Sequence, residues 1–217
     1  MDLLDELLDQ RNKNLWEKLY TGFNITVALS DQYKLDFSPP NATILIDNRK
    51  KVSLFTHELL HLELRYLGLD TIKYFSLESY TFEEVRIVYN LCNNLEHILM
   101  FDEFIDLGFE KTAFVEGLSG KKQLEQQIEI YHDLVTKPDF CNPTLYFVSL
   151  YVTIKSEQYC GQKREYFLEK LRRKNPGLHK KCENLYNDIL NMDFDSDLQT
   201  QYVNVTGRIC DKNSYAL

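Results

Sequence analysis

The sequence predicts a mixed α+β fold that is predominantly helical, and two observations carry that prediction. Between residues 22 and 48 the apolar side chains come in short runs rich in β-branched residues, punctuated by Ser38-Pro39-Pro40-Asn41, the pattern of strands and the turns between them. Before that region, and through most of the chain after it, apolar residues recur at the spacing of one helix face. The 217 residues, 44% of them hydrophobic, suffice for one good core. No Gly/Ser- or Pro-rich linker interrupts them. The chain therefore reads as a single domain, 1–217, with an N-terminal helix in 1–22, a core over 23–110 and a mainly helical subdomain over 111–217.

Residues 2–20 place Leu3, Leu4, Leu7, Leu8, Leu15, Trp16 and Leu19 at helical spacing with charges between them. Past Gly22 the period changes: 23–29 form a strand, 33–37 a second short extended piece, and 42–47 a compact apolar strand closed by Asp47-Asn48. The next helix opens at Asn48 or Ser53. Leu54, Phe55, Leu59, Leu60, Leu62 and Leu64 make it mostly buried, Arg65 complements its dipole, and Gly68 stops it. Thr81-Phe82-Glu83-Glu84 is a capping box, with Thr81 as N-cap and Glu84 reaching back. From it Val85, Val88, Leu91, Leu95, Ile98 and Leu99 carry a long helix to about Phe101. Leu107-Gly108-Phe109 and 116–120 are breaks, and 121–136 form a helix ending before Pro138. Pro143 opens a buried aromatic helix over 143–152, although β-branched residues there permit a strand. Two amphipathic helices, 162–174 and 179–192, are parted by Asn175-Pro176-Gly177, and a last strand falls at 202–205.

The chemistry concentrates in Phe55-Thr56-His57-Glu58-Leu59-Leu60-His61-Leu62. Residues i and i+4 of a helix share a face, so His57 and His61 can reach one ion. Zinc suits the pair, because neutral imidazole is a preferred ligand and a catalytic zinc takes three protein ligands plus a water. Glu58 projects along the edge of that face, placed to take a proton from water and pass it to a leaving amine. Polar groups within such an apolar run need partners, or they cost stability.

Two histidines leave the site one ligand short, and the third must come from a helix or loop after the motif. Asn93-Asn94-Leu95-Glu96-His97 in the following helix offers it. Glu96 and His97 stand about 100° apart, so at most one faces the metal squarely. Glu96 lies in register with Val85, Tyr89, Cys92 and Leu99, on the shoulder of the apolar stripe, and is favoured; His97 is the alternative. Under the favoured choice, His97 or Asn93 orients a ligand or receives a hydrogen bond.

His57, Glu58 and His61 form the H-E-x-x-H signature, on which the sequence resembles the zinc metallopeptidases called zincins. The resemblance implies a zincin-like core over 23–110, with a small twisted sheet packed on the active-site helix. It also implies zinc as cofactor, and an edge strand that pairs with an extended peptide substrate; 42–47 and 25–29 are the candidates for that edge. Glu96 as third ligand makes the site gluzincin-like. The metzincin continuation is excluded, because Leu64 and Leu67 stand where it needs glycine and histidine. Ile44-Leu45-Ile46-Asp47-Asn48-Arg49 followed by Phe55-Thr56-His57-Glu58 is similar in wording to the ImmA/IrrE-type intracellular zincins, without their downstream Glu/Ala/Asn-rich helix. The resemblance covers 23–101 and is specific at the motif. Such a peptidase also needs an oxyanion donor, typically Tyr or His. Tyr131 and His132, on the 121–136 helix, are the candidates, with core packing or a surface histidine as the competing account.

A net charge of −8 argues against generic binding to nucleic acid or anionic membranes. The basic run at Lys163-Arg164 and 170–174 reads as a solvated helix face. The first residues lack the pattern of a secretion signal, and no apolar run approaches a membrane span. Cys92, Cys141, Cys160, Cys182 and Cys210 are odd in number and widely spaced, so they read as reduced thiols. The cytoplasm is the default compartment, where the Asn-x-Thr triplets at Asn24, Asn41 and Asn204 carry no meaning.

The leading expectation is a zinc-dependent metallopeptidase cutting a specific intracellular protein: His57, His61 and Glu96 hold zinc, Glu58 activates water, and the partner is a protein or peptide substrate. The alternative is a zinc-stabilised protein-interaction or regulatory module without hydrolytic activity. A third reading is a metal-free helical interaction protein in which the motif is accidental.

Overall fold

A computed structural model describes residues 3–75, 77–114, 121–136, 142–156 and 163–210. The chain is mixed α+β and mostly helical, with a small three-stranded sheet, and it divides into two compact units. The first is Met1–Leu69 with Met100–Glu116, the second Asp70–Leu99 with Gly117–Leu217.

In the first unit the N-terminal amphipathic stretch is two helices, α1 (Leu3–Leu7) and α2 (Lys13–Tyr20), where the periodicity predicts one. The break is the work of Asp9 and Asn12, whose short polar side chains bond nearby backbone in competition with the helix. Asp9 Oδ1 accepts from the Arg11 N–H at 2.8 Å, and Asn12 Oδ1 accepts from the Asp9 N–H at 2.9 Å. Asn12 is fully buried, and its amide donates to Leu7 O and Thr56 Oγ1, both at 2.9 Å. The turn is thereby anchored to the motif helix.

The sheet comprises β1 (Asn24–Leu29), β2 (Lys34–Ser38) and β3 (Asn41–Ile46), in the order β1-β3-β2. β1 runs parallel to β3 with Val27 beside Ile44, and β2 runs antiparallel to it with Leu35 beside Ile44. Of the two edge candidates read from the sequence, 42–47 is therefore corrected: β3 is central, and the edges are β1 and β2. Burial fits that place, since Ala42, Ile44 and Ile46 are 1% exposed or less and alternate with open positions.

The motif helix, α3, spans Val52–Tyr66 and lies against α2, β2 and β3. It opens at Val52 after an extended Lys51, and neither Asn48 nor Ser53 caps it. Asp47 organises the approach instead, its carboxylate accepting from the Arg49 N–H at 2.9 Å. Gly68 ends the helix as predicted. Its φ of 86° suits a residue without Cβ, and the Gly68→Arg65 and Leu69→Leu64 backbone bonds, 3.0 and 2.8 Å, close a Schellman turn. Arg65 donates to Leu69 O at 2.8 Å.

The long helix α4 (Phe82–Asp106) begins on the predicted capping box. The Thr81 N–H donates to Glu84 Oε2 at 2.9 Å, and the Glu84 N–H donates to Thr81 Oγ1 at 3.3 Å. It continues past Phe101 to a second glycine turn at Gly108, φ 89°, so Phe82 to Leu99 belong to the second unit and Met100 to Asp106 to the first. In the second unit follow α5 (Lys121–Thr136), α6 (Pro143–Ser156), α7 (Arg164–Lys174), α8 (Pro176–Leu190) and α9 (Leu198–Cys210). Tyr151, Phe147, Phe167 and Tyr202 are among its most buried side chains. Asn94 Nδ2 donates to Thr153 Oγ1 at 3.1 Å and Ser156 Oγ donates to Asn94 Oδ1 at 2.6 Å, which fixes the rotation of α4 against α6.

Asn175 caps α8 by accepting from the Leu178 N–H at 3.0 Å, with Pro176 in the first turn. The strand predicted at 202–205 is helical in α9. Asp197 caps that segment through the Thr200 N–H at 3.0 Å, and Leu198, Tyr202 and Thr206 bury one face at intervals of four, which outweighs the β-branched content. The break at 116–120, Pro138, Cys141, Cys160 and Gln162 lie outside the described residues, as does the side chain of Cys210. Cys92 and Cys182 are buried thiols. Among the described residues, no helix is long and apolar enough to cross a membrane.

Candidate metal centre

His57 and His61 sit one turn apart on α3 and are 7% and 6% exposed. Burial follows from the leucines and Phe55 that surround them in sequence, and from the Asn12 amide that holds Thr56. Their Nε2 atoms are 3.2 Å apart. At that range one ring's Nε2–H donates to the other's lone pair, or a cation lies between two lone pairs. A tetrahedral zinc with bonds of about 2.0–2.1 Å sets its nitrogens roughly 3.3 Å apart, and the observed spacing matches. The His57 ring also packs against Phe114, centroids 4.8 Å apart, and Phe114 is held edge-on by Phe101 and Phe104.

The third imidazole is His97, carried by α4 three residues before Met100. One ring nitrogen from each of His57, His61 and His97 lies within 4.8 Å of the others, and all three side chains are buried. Asn93, one turn earlier on α4, places Nδ2 3.2 Å from His97 Nε2. An amide N–H in that position donates to the Nε2 lone pair and ties the ring to its own helix.

Glu96, favoured from the sequence as third ligand, is not in this group. Its buried carboxylate accepts a short hydrogen bond from the Thr71 hydroxyl, and Cys92, one turn before it, donates to Thr71 O at 3.6 Å. The shoulder of the apolar stripe thus faces the turn Thr71–Tyr74. Position on the stripe carries no information on the Thr71 hydroxyl that Glu96 meets.

Glu58 lies on α3 directly after His57 and is 8% exposed. Tyr131 is buried on α5, with its ring 5.0 Å from that of Phe147 and its hydroxyl accepting from Asn175 Nδ2 at 3.3 Å. Its surroundings are those of a packed residue tied to the α8 cap. His132 is on α5, and its side chain lies outside the described residues.

The donor set is three imidazoles with one carboxylate adjoining in sequence. Such a set suits a divalent ion with an affinity for nitrogen, zinc foremost. Compared with protein families, with curated proteins and with solved structures, the chain matches none.

Proposed function

We propose that the protein is a zinc-dependent metallopeptidase acting on a protein or peptide substrate, with His57, His61 and His97 holding the metal and Glu58 as general base. The observation that carries the reading is the convergence of three buried ring nitrogens from two helices within 4.8 Å, with the motif carboxylate beside them in sequence. A zincin-like arrangement of sheet and motif helix is part of the proposal, supported by α3 lying against β2 and β3.

When bound, zinc acidifies water and polarises a carbonyl, and three neutral ligands leave its full charge to do so. Glu58 takes the proton from the attacking water and returns it to the leaving amine. Burial strengthens each of these electrostatic effects.

All three ligands are buried, which limits a peptide's access to them and favours a second reading. In that reading the metal stabilises a protein-interaction module. Glu58→Gln separates the two: a peptidase keeps its metal and loses roughly 10²–10⁴-fold in hydrolysis of a peptide substrate, whereas in a structural site neither metal content nor partner binding changes and no hydrolysis is found in either protein.

A further inference from the structure

We infer that Phe114 is a positioning residue for the ligand His57: it sets the imidazole so that Nε2 faces His61, and it is itself fixed by a row of rings that ends at Arg11. The inference rests on the metal-binding part of the reading above and not on hydrolysis. Every residue in it belongs to the first unit, Met1–Leu69 with Met100–Glu116.

The torsion that turns an imidazole about its Cβ–Cγ bond is broad and roughly two-fold. A half turn exchanges Nε2 with Cε1, so the neighbours of the ring decide whether a nitrogen or a carbon meets His61. His57 is held between two of them. The His61 ring stands 4.9 Å away at 71°, and the Phe114 ring 4.8 Å away at 59°. Phe114 is 1% exposed, and in a close-packed interior such a ring yields only if its own neighbours move.

Those neighbours form a continuous row. Phe114 follows the short turn Lys111–Ala113, whose bonds from the Ala113 N–H to Glu110 O and from the Phe114 N–H to Lys111 O, 2.8 and 3.4 Å, lie within the turn itself. Side-chain packing therefore sets its place. Phe101 and Phe104 stand edge-on to it with centroids 5.1 and 5.0 Å away, and Phe104 stacks on Phe109 at 4.9 Å. The Arg11 guanidinium lies 3.9 Å from the Phe109 centroid and is paired with Asp9. Rings in these arrangements attract beyond the area they bury, and a guanidinium over the outermost ring adds to it. Arg11, Phe109, Phe104, Phe114 and His57 thus form one stack from the turn after α1 to the ligand.

The test uses the full chain and two readouts: zinc dissociation constants by chelator competition, and imidazole nitrogen shifts in metal-free protein. The chain has five histidines, and the His57 signals are those that vanish in His57→Gln. With the imidazoles neutral, a ring held in one orientation shows two well-separated nitrogen shifts, one for the protonated and one for the bare nitrogen, which merge when the ring is released. Phe114→Ala should bring the two His57 shifts together and weaken zinc binding about tenfold or more, the usual effect of removing a group that orients a metal ligand. Phe114→Leu keeps most of the volume and should do less of both. Leu19→Ala removes a fully buried side chain of the same unit outside the row, and should lower stability without either effect. Separate His57 shifts retained in Phe114→Ala, shifts already merged in the wild type, or zinc weakened as much by Leu19→Ala as by Phe114→Ala would overturn the inference. A wild type that takes up no zinc, yet whose His57 shifts merge in Phe114→Ala, upholds the positioning role and ends the metal reading.

Discussion

His57 and His61 present their Nε2 atoms to one another across 3.2 Å, one turn apart on a helix whose buried residues are otherwise leucine and phenylalanine with Thr56 and Glu58. A hydrogen bond from one ring's Nε2–H to the other's lone pair accounts for that distance, and so does a cation held by both. His97, whose ring nitrogen lies within 4.8 Å of theirs, completes a group of three donors that could hold a metal.

Metal loading should stabilise the fold. A ligand that binds only the native state adds about 2.7 kcal/mol when its free concentration is a hundred times Kd, so zinc should raise Tm and a chelator should reverse the gain. His61→Ala should abolish the zinc-dependent part. Acid should release the metal, since imidazoles bind it only when deprotonated. Equal Tm with and without zinc in the wild type would contradict this.

Thr71→Val removes the hydroxyl that donates to Glu96 and leaves the shape nearly intact. Removing one partner of a buried hydrogen bond costs about 1–3 kcal/mol, and urea unfolding should register a loss of that order. Metal content should not change if Glu96 is outside the ligand set. A variant that unfolds normally yet loses its metal would return Glu96 to the ligand set.

His179 gives the second unit a pH dependence. Burial lowers its pKa below 6.5, opposed by Glu183, whose carboxylate lies 3.8 Å from Nδ1, and aided by Arg172 and Lys155. The folded state therefore keeps the ring neutral while the unfolded state takes a proton. Stability is full above the unfolded value of about 6.5 and falls as pH drops from there to the lowered folded value. His179→Gln should flatten that part of the stability curve, measured by urea midpoints in metal-free protein between about pH 4.5 and 7.5. Parallel curves for the two proteins would show that His179 is not the group responsible.

Local features were legible in the sequence wherever neighbours in the chain settle them. The Thr81–Glu84 capping box and the Gly68 stop involve residues within a few positions of each other, and both are realised. The bounds of α5 were equally plain, since its periodicity is uninterrupted. Competition by side chains was harder to read. Asp9 and Asn12 split the first helix, although the leucines on either side keep helical spacing. Strand order was hidden for another reason: the place of β3 between β1 and β2 depends on pairing across the chain, and its apolar alternation says only that it is buried. The tie of Glu96 to Thr71 was hidden as well, since Thr71 is 25 residues before Glu96 in sequence. No helical wheel contains that contact.

Whether three histidines and no glutamate hold the metal is decided by zinc per chain in untagged protein. Wild type, His97→Ala and Glu96→Gln should be compared after dialysis against limiting zinc. About one zinc is expected in the wild type and in Glu96→Gln, with loss in His97→Ala. Zinc retained by His97→Ala and lost from Glu96→Gln would contradict the ligand set, and a wild type that takes up no zinc would contradict the metal centre itself.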